Sequence, residues 1–407
     1  MYITYENIYR TGILQAQVIT PLKIMSNKYG IEFIITSNVK HWENDDIYNQ
    51  NKKYFEKENY PKLKIFEFKK SLTKKQSIIN FVIDVIPIII FCMFKAKHFD
   101  IIHCRSYGGA IIGFIISIFT GKPFIFDMRG ALPEETVELG KISKNSYKYK
   151  LLKFMEKVLI NKSSYVFTVS NKFNDYIKMT FNKKNTINIY NPTDFKMFYN
   201  NKKENRKKVY FIYSGSLHPW HLPELTIKYF FKIFKKFEDK VFLYFCTPDV
   251  IMAKKIFDKY DIPNSAYEIK NVPFKEMPKY YAISDIAFCF IRNSFSKSVC
   301  FPVKFSEYIA SEIFVLANKG IGDLADIINK YKCGLIVNDV YEVDSNIKKI
   351  DSVINAMLNG TFKSYNRCNL SFLDWNKNIE RIYYVYQNII GKSGWPQKLD
   401  RVQRWMI

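Results

Sequence analysis

Cysteine is sparse and unpatterned in this 407-residue chain. Cys92, Cys104, Cys246, Cys289, Cys300, Cys333 and Cys368 form no C-x-x-C pair and have no companion histidine spacing. That excludes a zinc knuckle and gives no support to a disulfide framework, so a reducing cytoplasm is the simplest setting. The start of the chain, Met1 to Glu6, lacks the basic and long apolar regions of a signal peptide and reads as a strand that begins at once. No repeat recurs at a solenoid period. Acidic residues are also short: 38 Asp and Glu stand against 62 Lys and Arg, a formal net charge of +24.

What remains is an ordinary globular balance, 48% hydrophobic and 25% charged residues. It rules out wholesale disorder, collagen and coiled coil and leaves apolar material for two cores. Four readings compete for the positive charge: nucleic acid, an anionic membrane surface, anionic small substrates, and a coding bias that also enriches Asn, Ile, Phe and Tyr. Nucleic acid ranks lowest, because the aromatic residues fall inside apolar periodic segments, where core packing accounts for them, and no binding module is recognisable.

Short apolar runs alternate with longer amphipathic segments, the pattern of βα units and parallel sheets. Strands are expected near Tyr2 to Tyr5, Ile31 to Thr36, Lys64 to Phe68, Ile101 to Cys104, Phe124 to Phe126 and Tyr165 to Val169. A second series falls near Val209 to Tyr213, Val241 to Cys246, Ala266 to Lys270, Ile286 to Ile291, Ile313 to Ala317 and Gly334 to Val337. The predicted fold is therefore α/β with two doubly wound, Rossmann-like domains. The first covers residues 1–190, a polar, Pro-initiated linker 191–208, the second domain 209–370, and a helical segment 371–407 could pack back on the first domain.

Ser77 to Phe94 is 18 residues long and very apolar, but Asn80, Asp84 and Pro87 interrupt it. A charge near the centre of a membrane span costs a few kcal/mol, so a buried or interfacial helix is the better reading. Between Lys141 and Lys162, seven lysines face a single acid, Glu156, and interleave with Leu151, Leu152, Phe154, Met155, Val158 and Leu159. Such a basic amphipathic helix suits an anionic membrane surface; a solvated lysine face over a core stripe is the competing reading.

In doubly wound sheets ligands sit beyond the carboxyl ends of the strands. After Val209 to Tyr213 comes Ser214-Gly215-Ser216, with His218, Trp220 and His221 close behind, where a small turn lets backbone N–H groups approach a phosphate. After Ile286 to Ile291 come Arg292 and then Pro302-Val303-Lys304-Phe305-Ser306-Glu307-Tyr308. Pro302 suits the first turn of a helix, Lys304 adds charge to that turn, and Glu307 shares its face three residues on. A diphosphate on Lys304 and Arg292 with a ribose on Glu307 fits; so does a surface Lys–Glu pair. Gly320, Gly322 and Asp323 form a further tight turn, with Asp323 placed to cap the next helix. In the first domain, Glu6, Arg10, Thr11 and Gly12, then Arg105 and Ser106, then Asp127 and Arg129 follow three strands and line one rim. Asp127 with Arg129 could equally be a structural ion pair.

Together these residues resemble the GT-B glycosyltransferases, specifically bacterial family-four enzymes that build capsule, O-antigen or other surface polysaccharides. The resemblance is carried by Phe126-Asp127-Met128-Arg129-Gly130, Asn188-Ile189-Tyr190-Asn191-Pro192-Thr193-Asp194 with Phe198, Gly215-Ser216-Leu217 and Pro302 to Tyr308, and it extends over about residues 1 to 390. It implies a retaining enzyme without a divalent metal or other cofactor, with a nucleoside-diphosphate sugar held by the second domain and a glycan acceptor, expected to be lipid-linked, held by the first. On that pattern Asp127, Arg129, Lys304 and Glu307 are the catalytic candidates. Gly215, Ser216, His221, Arg292, Gly320, Gly322 and Asp323 would join Lys304 and Glu307 around the donor, and Glu6, Arg10, Thr11, Gly12, Arg105 and Ser106 would meet the acceptor. Two features depart from the family pattern. Val299 stands where a first glutamate is usual, and Ser216, Trp220 and His221 stand where an Arg and a Lys usually follow the glycine turn. The implied location is cytoplasmic, peripheral on the inner face of the plasma membrane. The alternatives are another GT-B activity such as a nucleotide-sugar epimerase, or a non-catalytic basic protein that binds membrane or nucleic acid.

Overall fold

The computed structural model describes residues 1–9, 12–39, 46–57, 60–70, 78–198 and 207–391. Arg10, Thr11 and linker residues 199–206 lie outside them.

The first sheet has seven strands: β1 (Tyr2–Ile3), β2 (Phe33–Val39), β3 (Leu63–Lys69), β4 (Ile102–Arg105), β5 (Phe124–Asp127), β6 (Tyr165–Thr168) and β7 (Thr186–Asn188). Their order is β3-β2-β1-β4-β5-β6-β7. The second has six, β8 (Val209–Ser214), β9 (Val241–Cys246), β10 (Tyr267–Lys270), β11 (Ile286–Cys289), β12 (Phe314–Asn318) and β13 (Gly334–Val337), in the order β10-β9-β8-β11-β12-β13. Every described strand pairing is parallel. The chain is thus two doubly wound α/β domains, each with its switch point at the centre of the sheet. β7, three residues long, is the strand that periodicity missed, because three residues are too few to show a period.

Helices of the first domain are α1 (Gly12–Leu14), which runs through a π-helical turn into α2 (Thr20–Tyr29), then α3 (Asp46–Lys57), α4 (Ile78–Phe94), α5 (Ser106–Thr120), α6 (Leu132–Glu138), α7 (Tyr147–Lys162) and α8 (Asn171–Phe181). Those of the second are α9 (Pro223–Phe237), α10 (Val250–Phe257), α11 (Met277–Ile283), α12 (Phe295–Ser298), α13 (Val303–Ala310), α14 (Leu324–Tyr331) and α15 (Val343–Leu358), followed by α16 (Trp375–Ile389).

Central strands are apolar on both faces, as helices on both sides require; β11 and β12 are buried along their whole length. Helix α5 presses hard on its sheet. A Cβ built on Gly109 would lie 2.7 Å from the Ile3 carbonyl oxygen and one on Gly113 2.1 Å from Cys104 Sγ, so no larger side chain fits there. Helices α7 and α8 begin on serine caps: Ser146 Oγ accepts from Tyr149 N–H at 3.2 Å and Ser170 Oγ from Phe173 N–H at 3.0 Å. Of the acids within these helices, Asp84 on α4 turns inward to accept from Tyr5 Oη at 2.7 Å, and Glu156 on α7 accepts from Tyr107 Oη at 2.5 Å. No described helix is long and apolar enough to cross a membrane.

Helix α16 lies on the first domain. Trp375 Nε1–H donates to the Ala16 carbonyl at 2.9 Å, Tyr383 stacks on Tyr29 at 3.8 Å, and Tyr386 Oη meets His103 Nδ1 at 2.6 Å. The chain therefore crosses between domains twice, and the two crossings are bonded to each other. Thr193 N–H donates to the Leu373 carbonyl and Trp375 N–H donates to the Thr193 carbonyl, both at 3.0 Å.

Asp323 does not make the side-chain cap expected for its own helix. Its carboxylate accepts instead from the Asn171 and Lys172 N–H groups at 2.6 and 3.2 Å, capping α8 of the other domain, and from Tyr190 Oη at 2.8 Å. Orphan N–H groups at a helix start are costly to leave unpaired. Asp323→Ala should therefore lower unfolding stability by about 1–3 kcal/mol, with Asp323→Asn recovering part of the loss. An unchanged denaturant midpoint in the alanine variant would show that this bond does not hold the junction.

Candidate functional site

β8 and β11 are the central neighbours of the second sheet, so the loops after them open on one crevice. Ser214, the last residue of β8, is buried, and its Oγ lies 2.8 Å from Tyr281 Oη and 2.9 Å from Tyr308 Oη. Tyr281 Oη donates to Glu307 Oε2 at 2.8 Å. This chain of hydroxyls fixes the Glu307 carboxylate, which is only 8% exposed. Burial pushes its pKa up, while the Tyr281 hydroxyl and the Lys304 charge pull against that rise.

Lys304 lies in the first turn of α13, and its ammonium reaches the glycine turn after β8. A Cβ built on Gly215, whose φ is +135°, would lie 2.5 Å from Lys304 Nζ. Nζ also sits 4.9 Å from the Tyr213 ring centroid. Burial lowers the Lys304 pKa, opposed weakly by Cys289 and Glu307. Among the described residues Lys304 has no ion-pair partner, and neither does it pair with Glu307, so the surface Lys–Glu pair is set aside. A half-buried ammonium without a counter-ion, at the first turn of a helix, has the chemistry to hold an anion.

Around it, His221 Nδ1 lies 2.8 Å from the Ser216 carbonyl. Burial and then the Lys304 charge push its pKa down to about 3, so the ring is neutral near pH 7. Arg292 turns to solvent, its N–H donating to the Trp220 carbonyl at 2.8 Å. Trp220 is covered by Lys297 Nζ at 3.9 Å, and Lys297 pairs across the cleft with Glu135 of α6 at 2.9 Å. Glu138 joins this contact, accepting from Ser294 Oγ at 2.9 Å and Ser296 N–H at 3.0 Å. Gly320 stands against Asn293, and the Gly322 carbonyl accepts from Lys172 Nζ at 2.7 Å, so Gly322 and Asp323 belong to the junction with the first domain.

In the first domain, Asp127 and Arg129 form a buried ion pair at 3.2 Å. Burial alone would raise the Asp127 carboxyl, but Arg129, then His103 and Arg105, outweigh it and hold it well below the usual carboxylate range. Arg129 also donates to Gln17 Oε1 at 2.9 Å and to Asn191 Oδ1. Asn191 donates onward to the Phe301 carbonyl, and its own carbonyl accepts from Ser306 Oγ at 2.6 Å, so this network ends on α13. Glu6 pairs with Arg105 Nε at 3.1 Å, and Ser106 follows at φ +57°. Gly12 abuts Phe274 of the second domain. Beyond β1 a groove of about 630 Å³ opens between the domains, lined by Tyr9, Gln15, Lys23, Asp194, Phe274 and Lys275 among others.

The structure thus gathers Gly215, Ser216, His221, Lys304 and Glu307 at one crevice, and Glu6, Arg105, Asp127 and Arg129 at the facing rim. Sequence reasoning missed Tyr281, Lys297, Glu135 and Glu138. Each acts on a partner far along the chain, so no local spacing could mark it. Among the described residues no three His, Cys, Asp or Glu side chains come together as a metal site.

Two parallel-sheet domains facing across such a cleft form the GT-B architecture. Residues 195–369, which cover the second domain but less than half of the chain, match the family model described as glycosyl transferases group 1, and that match supports a glycosyltransferase. No curated protein matches the sequence. Solved structures agree over nearly the full length. A sucrose-phosphate synthase from Thermosynechococcus elongatus superposes with a TM-score of 0.70 at 14% identity, over 96% of this chain and 99% of the other. Anabaena Alr3699/HepE, in complex with UDP and glucose, gives 0.66 at 11%, over 95% and 98%. A glycosyltransferase from Rickettsia africae gives 0.65 at 14%, over 96% and 98%. At such identities the likeness speaks for the fold.

A charge kept half-buried without a partner costs stability, so its removal separates binding from folding. Lys304→Met should leave the thermal midpoint unchanged or raise it while weakening nucleoside-diphosphate binding at least about tenfold, roughly 1.4 kcal/mol. A clear loss of stability would instead make Lys304 a structural residue.

Proposed function

We propose that the protein is a retaining glycosyltransferase that moves a sugar from a nucleoside-diphosphate sugar to a surface-glycan acceptor carried on a lipid, working on the inner face of the plasma membrane. The observation that carries this reading is the unpaired Lys304 ammonium against the Gly215 turn, with the Glu307 carboxylate fixed one helical turn behind it. Anabaena HepE is also seen in complex with UDP-glucose, which supports a nucleotide-sugar donor for a chain of this fold.

In this reading the diphosphate rests on the first turn of α13, where Lys304 offsets the charge that grows on the leaving oxygen. Glu307, oriented by Tyr281, accepts from the ribose hydroxyls. The sugar–phosphate bond breaks as the acceptor oxygen bonds to the same carbon from the same face and its proton passes to the leaving phosphate oxygen, so the anomeric configuration is kept. Neutral His221 donates its one N–H to the Ser216 carbonyl and so braces the glycine turn without adding charge. The rim formed by Glu6 and Arg105 receives the acceptor, with Gly12 at its edge. Asp127 and Arg129 hold that rim to α13 through Asn191. The basic segment Lys141 to Lys162 meets the anionic lipid surface. No divalent cation is assigned a role.

Mass spectrometry of products, after a panel of nucleotide sugars is offered with extracted lipid acceptor, tests the reaction. Lys304→Ala and Glu307→Ala should each slow turnover at least about tenfold. Near-native turnover in both would mean that the donor lies elsewhere, and failure to bind either UDP or GDP at millimolar concentration in isothermal titration would sink the enzyme reading.

A further inference from the structure

Three helices lie side by side over one face of the first sheet, with α5 packed between α4 and α7. Their outward sides are unusually apolar. On α4 the exposed residues recur every three or four positions, as Ile79, Ile83, Ile86, Ile90 and Phe94, with Ile79 71% and Phe94 82% exposed. Val82 and Met93 widen the stripe. Ile118 and Phe119 continue it from the end of α5, and Leu151 and Phe154 from α7. A soluble surface rarely carries so continuous an apolar patch without a partner.

Within the three helices the outward-facing charges have one sign, although Asp100, exposed just beyond α4, carries the other. α4 and α7 each contain one acid, Asp84 and Glu156, and both are turned inward onto Tyr5 and Tyr107; α5 contains none. Lys153 also turns inward, to Glu134 and Glu156. Lys148, Lys150 and Lys157 of α7 are left exposed beside Leu151 and Phe154, and Lys97 follows the end of α4. An apolar stripe edged by lysines and free of outward acids is complementary to one surface in particular, a bilayer with anionic headgroups, into which such a helix sinks side-on.

We propose that the α4–α5–α7 face is a membrane-docking surface, on which the isoleucine stripe of α4 enters the acyl boundary of an anionic leaflet while the α7 lysines contact its headgroups. This moves the apolar part of membrane contact from the Lys141 to Lys162 segment to α4, a helix too short to span. It also places the lipid near the acceptor rim. Tyr5 packs its ring on Phe81 of α4 at 5.0 Å and holds Asp84, and the next residue, Glu6, pairs with Arg105. The upper end of the stripe therefore adjoins the loops after β1 and β4, where a sugar on a lipid would enter. Docking rests on no step of the transfer reaction, and vesicle binding is read without turnover.

The test is co-sedimentation of the full chain with phosphatidylcholine vesicles, with and without about one-third phosphatidylglycerol. The protein should pellet with the anionic vesicles and only weakly with the neutral ones. The double variant Ile83→Glu/Ile90→Glu, at two exposed positions, should lower partitioning at least about tenfold with an unchanged thermal midpoint. The triple variant Lys148→Ala/Lys150→Ala/Lys157→Ala should lose affinity for the anionic vesicles while keeping the weak binding to neutral ones. Three results overturn the proposal: a wild-type protein that stays in the supernatant with anionic vesicles, an apolar variant that partitions like wild type, or a wild-type dimer that Ile83→Glu/Ile90→Glu converts to monomer, which would mean that a second copy covers the face.

Discussion

Eight residues, Val303 to Ala310, tie the molecule together. The first turn of this helix carries Lys304 into the crevice, and Phe305 to Ala310 are buried, with the helix packed on β11 and β12. Glu307 takes its position from Tyr281, Tyr308 supports Ser214 at the mouth of β8, and Ser306 donates to Asn191 in the crossing between domains. One short helix therefore sets the charge of the crevice, the geometry of its carboxylate and the seat of the facing domain. Asp127 and Arg129, themselves locked in a buried network, connect to this helix through Asn191.

Most of the fold was legible because parallel sheets leave a strong signature. Their central strands must be apolar on both faces, and β11, with Ile286, Ala287 and Phe288 in unbroken run, can hardly be read otherwise. The crevice lining was legible where residues are neighbours along the chain, as Pro302, Lys304 and Glu307 are at the start of one helix. It was illegible where function depends on contacts between distant segments. Tyr281 sits in an apolar stretch of α11 and looks like core; its role comes from a hydroxyl 2.8 Å from a carboxylate 26 residues later. Asp323 had every local mark of a helix cap and is one, but for the other domain's helix.

The apolar segment Ser77 to Phe94 shows how a single residue can mislead. Asp84 argues correctly against a span, yet it says nothing about which side of the helix meets water. Its bond to Tyr5 removes it from the surface, leaving a face more apolar than the sequence average suggests. Glu156 does the same on α7. The net charge of +24 is thus distributed by where the acids are hidden as much as by where the lysines stand.

The paired crossings at Thr193 and Leu373 to Trp375 have a mechanical consequence. A single flexible tether would let one domain swivel freely, and the cleft could present many mutual orientations. Two chains stitched by backbone hydrogen bonds behave as a ribbon, soft to bending across its plane and stiff to twisting and sideways shear. Opening and closing of the cleft would then follow one arc, and the second-domain crevice and the facing rim would return to the same registry.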